Sequence, residues 1–208
     1  MDFRAQLAAF PLIAILRGVK PDEIVGVGDA LVEAGFRIIE VPLNSPEPLK
    51  SIGTLASRHP GVLVGAGTVL DPADVDRIRD VGGALIVMPH ADIEVIGRAK
   101  QLGLACTPGA ATPTEAFAAL KAGADAVKLF PAEMLPPAIV KAWRAVFPAE
   151  VPLMPVGGVK PETMPAYWQA GARGFGLGSA LYQPGMSGAE VSITSAAFAR
   201  AVKELPGR

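Results

Sequence analysis

The sequence predicts an α/β fold: eight strand–helix units closed into a (β/α)8 TIM barrel, with a short helix ahead of the first strand. Three observations predict it. Eight short apolar runs recur along the 208 residues, each ending in Gly, Pro or a polar residue. An amphipathic, helix-like stretch follows most of them. The repeat is about twenty residues, the alternation of parallel strands with helical crossovers. A doubly wound open sheet fits the same alternation, but eight equivalent units favour closure. The chain sits near the short end of the ~200–400 residue range of such barrels. No linker, charge block or low-complexity stretch divides it, so residues 1–208 are expected to form one domain.

The stretch "LAAFPLIAIL" reads as a short helix running into the first strand. At about ten residues it falls short of the ~20 that a membrane helix needs. Asp2 and Arg4 precede it, Pro11 interrupts it, and no small-residue cleavage pattern follows. No signal peptide is expected. The strand runs are "LIAILRG" (12–18), "IIEVPL" (38–43), "LVGAGTV" (63–69), "LIVMP" (85–89), "LACTPG" (104–109), "AVKLFP" (126–131), "LMPVGG" (153–158) and "GFGLGS" (174–179). Each is of strand length and bounded by turn residues. Between them "PDEIVGVGDALVEAG" opens on Pro21, carries Asp22 and Glu23 at the positive helix end and stops at Gly35. "DPADVDRIRDVG", "PTEAFAALKAG" and "KPETMPAYWQAG" follow the same grammar.

Composition excludes several classes. With 50% hydrophobic and 19% charged residues, the chain has ample core and is not disordered. A net charge of −1 offers no basic field for nucleic acid. The only cysteine, Cys106, forbids an internal disulfide and suits a reducing cytoplasm, where the protein is expected to reside as a soluble molecule. Cys106, His59 and His90 are too few for a structural zinc site.

Two charges stand out inside apolar strands: Glu40 in "IIEVPL" and Lys128 in "AVKLFP". Side chains alternate faces along a strand. Ile39, Val41 and Leu43 therefore share one face, and Val127 and Leu129 do likewise. These apolar faces meet the helices, so Glu40 and Lys128 point inward. An unpaired interior charge costs several kcal/mol or shifts its pKa until it neutralises. Two readings follow. Glu40 and Lys128 are a buried ion pair, or Lys128 is a free amine poised to attack a carbonyl while Glu40 moves protons.

Other strand ends favour the second reading, because barrel chemistry sits at the C-terminal ends of strands. Arg17, Thr68 and Thr107 lie there, as do Gly157–Gly158 and Gly178–Ser179 after the seventh and eighth runs. Those last two loops are where barrels bind phosphate through backbone N–H groups. The same glycines could simply make tight turns. Arg17 suits a carboxylate or phosphate. His90 reads as the start of a helix, His59 as an exposed loop residue, and Cys106 as a small core residue.

With "PLIAILRG", "GFRIIEVPLNSP", "VGAGTVL", "AVKLFPAE", "VGGVKPE" and "GLGSALY" in hand, the chain resembles the 2-keto-3-deoxy-6-phosphogluconate and -galactonate aldolases, class I aldolases of sugar-acid catabolism. The resemblance implies that Lys128 forms a Schiff base and Glu40 is the general acid/base. It implies that Arg17 and Thr68 hold the carboxylate end, and that Gly157, Gly158, Gly178 and Ser179 hold a phosphate. It implies a homotrimer and no cofactor or metal, since an iminium does the polarising that a Lewis acid would otherwise do. Gluconate-type members look like "EVTLRT" and "TGG" where this chain has Pro42, Asn44, Ser45 and Val156. The chain thus looks like the galactonate type, cleaving 2-dehydro-3-deoxy-6-phosphogalactonate to pyruvate and D-glyceraldehyde 3-phosphate. A gluconate-specific enzyme, one accepting both C4 epimers, and a non-aldolase phosphate-binding barrel are the alternatives.

Overall fold

The computed structural model describes residues 2–207. Helix α1 (Phe3–Ala9) leads into β1 (Leu12–Ile15). There follow α2 (Ile24–Glu33), β2 (Ile38–Pro42), α3 (Pro48–Arg58), β3 (Leu63–Gly67), α4 (Pro72–Asp80), β4 (Leu85–Val87), α5 (Ile93–Gln101) and β5 (Ala105–Thr107). Next come β6 (Gly109–Ala110), α6 (Pro113–Lys121), β7 (Val127–Leu129), a 3-10 turn (Ala132–Met134), α7 (Pro137–Arg144), β8 (Leu153–Pro155), α8 (Met164–Gln169), β9 (Phe175–Leu177) and α9 (Gly188–Lys203). Every apolar run expected to be a strand contains one. Among the described residues no helix is long and apolar enough to cross a membrane.

Helix starts follow the local chemistry. Asp71 and Asp92 accept backbone N–H groups at the starts of α4 and α5, and Thr112 and Ser187 form reciprocal capping boxes with Glu115 and Glu190. Two starts differ from expectation: residues 161–163 form a turn and α8 begins at Met164, and the start of α2 is displaced in the same way. Pro21–Glu23 form a turn and α2 begins at Ile24. The Glu23 carboxylate there accepts the Lys20 N–H (3.1 Å) and the Tyr182 hydroxyl (3.3 Å) instead of capping the helix.

All strand pairs are parallel, and they fall into two sheets: β5-β4-β3-β2-β1-β9 and β6-β7-β8. The expected parallel α/β architecture is there, with its strands paired as an open half-barrel and a smaller sheet instead of one continuous ring. The two breaks have physical causes. Pro108 has no N–H and separates β5 from β6 within one run of chain. Pro155 ends β8 in the same way, and between β8 and β9 a single parallel bridge remains, Val156 to Gly176.

The strands sort their side chains as alternation requires. Ile39, Val41, Val127 and Leu129 join the large cluster shared with the helices. Ile13, Ile38, Leu63, Leu85, Ala126 and Met154 form a separate inner cluster, with Phe3 and Leu7 of α1 packed into it. That inner cluster lies near the N-terminal ends of the strands, which leaves the C-terminal ends for polar groups.

Strands β3 and β4 approach closely where Gly65 pairs with Leu85. A methyl group at Gly65 would strike the Leu85 carbonyl and come within 2.6 Å of its Cβ. Gly65→Ala should therefore destabilise the fold by about 1–3 kcal/mol in urea unfolding. An unchanged midpoint would contradict this account of the sheet's packing.

Candidate active site

Strands β2 and β7 bring the two interior charges to one inner face. Glu40 is 2% exposed and Lys128 6%. Each has apolar neighbours in its own strand that are turned outward, so neither can leave without breaking a strand. They do not form the direct ion pair that was one reading of the sequence. Glu40 Oε2 has no hydrogen-bond partner, and no ion pair joins it to Lys128 among the described residues. The carboxylate instead lies against Gly67 of β3, where any side chain would collide with it. Lys128 Nζ sits 4.6 Å from the centroid of the Phe130 ring.

Burial governs both protonation equilibria. Desolvation pushes the Glu40 carboxyl up to about 7, against the opposing pull of the Lys128 and Arg17 charges. Desolvation likewise lowers Lys128, assisted by the Arg17 cation and opposed by Glu40. The outcome is an amine that gives up its proton more readily than usual, and a carboxyl able to exchange its proton near neutral pH. Both are conditions for nucleophilic and acid–base chemistry.

Above Lys128 opens a cavity of about 340 Å³. Its walls include Arg17, Lys128, Val156, Gly157, Gly158, Gly178 and Ser179, all of them singled out in the sequence. Glu40 and Thr68 do not line it: Glu40 is buried against Gly67, and Thr68 follows β3 with φ 56°. Gly157 (φ 112°) and Gly158 (φ 61°) make a turn that side chains disfavour, and the Glu133 carboxylate packs against them. Gly178 is different. A methyl there would meet nothing within 4 Å, so the protein's own packing does not demand glycine at that wall.

The lining residues that escaped the sequence reading include Lys160, Phe130 and Glu133. Lys160 ends the same "VGGVK" motif as the glycine turn, and Phe130 shares the face of Lys128 by alternation, so both left a signal. With Arg17 and Lys160 against Glu133, the cavity carries more cationic than anionic groups whichever form Lys128 takes, and it suits an anionic ligand. Thr107 is fully buried with an unpaired hydroxyl and does not line the cavity. His90 stands at the start of α5, 3.9 Å from Asp92. His59, expected in an exposed loop, instead ends α3 with its side chain 14% exposed and 3.0 Å from Asp29. Burial raises the Cys106 thiol to about 12, consistent with an inert core residue.

A parallel α/β fold with an inward lysine beneath an anion-suited cavity is the build of a Schiff-base aldolase, and the sequence agrees. It matches the family described as KDPG and KHG aldolase over residues 3–195, and the chain belongs to that family. It is a class I aldolase, a lyase, with an α/β fold related to the TIM-barrel aldolases. Among relatives, it is 52% identical to the probable 2-dehydro-3-deoxy-6-phosphogalactonate aldolase of Rhizobium meliloti (strain 1021), over 87% of this chain and 86% of that one. It is 46% identical to the 2-dehydro-3-deoxy-6-phosphogalactonate aldolase of Escherichia coli (strain K12), over 93% and 95%. A solved structure described as native KDPGal superposes with a TM-score of 0.92 at 45% identity, covering 94% of this chain and 95% of that one.

The raised Glu40 pKa makes a stability prediction. Below the ordinary value of 4.5 the carboxyl is protonated whether the chain is folded or not. Between 4.5 and about 7 the unfolded chain releases the proton and the folded protein keeps it, so rising pH favours unfolding. Glu40→Gln removes this dependence. Relative to the unsubstituted protein it should gain up to about 3 kcal/mol between about pH 4 and about pH 8 in urea unfolding. A constant difference across that range would contradict a buried, elevated Glu40.

Proposed function

We propose that the protein cleaves 2-dehydro-3-deoxy-6-phosphogalactonate to pyruvate and D-glyceraldehyde 3-phosphate, with Lys128 as the Schiff-base lysine and Glu40 as the general acid/base. The observation that carries this reading is the burial of both groups, with Lys128 in the wall of a cavity that suits an anion and the Glu40 carboxylate held against Gly67 with Oε2 unpartnered. The names of the relatives support the choice of the galactonate substrate.

In the proposed reaction, neutral Lys128 attacks the C2 ketone. The carbinolamine loses water to give an iminium, which serves as the electron sink. Glu40, directly or through a water molecule, takes the C4 hydroxyl proton. The C3–C4 bond then breaks, its electrons pass into the enamine, and glyceraldehyde 3-phosphate departs. Protonation at C3 restores an iminium, and water hydrolyses it to pyruvate and the free lysine.

The phosphate is assigned to the Gly157–Gly158 and Gly178–Ser179 loops. The open Cα of Gly178 and the nearby Lys160 ammonium support that assignment. Binding so far from the bond that breaks would supply orientation. Arg17 is assigned to the carboxylate end of the substrate. The same assignment for Thr68 rests on the family resemblance alone. Val156 presents methyl groups to the cavity where a threonine would present a hydroxyl, which favours one C4 configuration over the other.

Residues 1–208 are taken as one domain, with the two sheets as arcs of one closed eight-stranded barrel. The continuity of chain through Pro108 and the Val156–Gly176 bridge support this. A homotrimer in the cytoplasm is the corresponding expectation for the assembly and its location.

Comparison of kcat/KM on the two C4 epimers tests the substrate. The galactonate epimer should be preferred by at least about tenfold. Equal or reversed values would make this a broad or gluconate-type enzyme. Glu40→Gln should lower kcat by about 10²–10⁴-fold while leaving the enzyme able to form the pyruvate adduct. A kcat close to that of the unsubstituted enzyme would remove Glu40 from the chemistry.

A further inference from the structure

Backbone pairing between β1 and β2 ends where the Leu16 N–H donates to the Glu40 carbonyl (3.0 Å). The chain beyond it, Arg17 and Gly18, has left the ladder at the mouth of the cavity. Two side chains from the loop after β2 take over. Arg17 Nη1 donates to Asn44 Oδ1 at 2.7 Å. The Gly18 N–H donates to Ser45 Oγ at 2.9 Å. Ser45 is itself fixed: it is 7% exposed, and its N–H donates to the Pro42 carbonyl at 2.9 Å. The adjacent pair Asn44–Ser45 thus grips the adjacent pair Arg17–Gly18, one bond to side chain and one to backbone.

We infer that Asn44 is a positioning residue: it holds the Arg17 guanidinium in the orientation that receives the substrate's anionic end, with Ser45 anchoring the loop from which Arg17 projects. This inference rests on the assignment of Arg17 to substrate binding. A free arginine samples many rotamers, and a ligand that must order it binds more weakly for that reason. Asn44 orders the side chain in advance through a neutral acceptor. It therefore leaves the guanidinium charge intact, as a carboxylate partner would not, and it occupies one N–H while the others remain free for a bidentate partner. Lys160, which also lines the cavity, has no such side-chain tether among the described residues; its backbone N–H meets Thr163 Oγ1 instead.

A double-mutant cycle tests this on the full-length enzyme with the phosphorylated keto-acid substrate. Because the tether acts on binding in ground and transition states alike, Asn44→Ala should raise KM about five- to tenfold and change kcat by less than about threefold. Arg17→Ala should raise KM by more than Asn44→Ala. In the Arg17→Ala background, Asn44→Ala should add less than about a twofold change, since its effect passes through an arginine that is no longer there. An Asn44→Ala enzyme with normal KM, or an effect undiminished in the Arg17→Ala background, overturns the inference and leaves the role of Arg17 standing. A normal KM for Arg17→Ala itself overturns the assignment of Arg17, and the inference with it.

Discussion

The site depends on one constraint: two opposite charges are held out of water on the inner faces of two parallel sheets without being allowed to touch. Direct contact would make an ion pair and fix Lys128 as an ammonium, which is not nucleophilic. Full separation would leave each group neutral, and the carboxyl could then accept no proton. The intermediate arrangement leaves desolvation as the leading influence on both, tempered by the partner's charge. Gly67 makes it possible, since any larger residue would push the Glu40 carboxylate out of its place.

The surrounding fold serves that constraint at different depths. The inner cluster, with Phe3 and Leu7 of α1, fills the N-terminal end of the strands and keeps water from the floor of the site. The cavity at the other end carries the Arg17 and Lys160 cations beside Lys128, a field that suits an anionic ligand. Arg17 acts twice. It lines the cavity, and its charge lowers the pKa of Glu40 and of Lys128 alike. A ligand bound at Arg17, as proposed, would thereby be coupled to the protonation of the interior.

Much of this was legible in the sequence because it follows from a period of two. Alternation alone turns Glu40 and Lys128 inward and Ile39, Val41, Val127 and Leu129 outward, and the structure has them so. Closure of the sheet was less legible. A proline such as Pro108 inside an apolar run removes one donor from a ladder, and its effect on pairing depends on the neighbouring strand, which the sequence does not state. Contacts between loops were not legible at all. The Arg17–Asn44 bond spans 27 residues, and the His59–Asp29 contact joins two helices that only packing brings together. Thr68 stands at a strand end as expected, yet a φ of 56° follows it away from the strand, and it does not line the cavity.

The most direct test of the account is to incubate the enzyme with pyruvate near neutral pH, reduce with borohydride and map the modified peptide by mass spectrometry. A stable adduct on Lys128 is expected, because its burial near Glu40 keeps enough free amine to form the iminium. No modification of Lys128, with a known Schiff-base enzyme labelled in parallel, would contradict it. The two interior charges would then be a structural feature, and the cavity above them a phosphate-binding site of another kind.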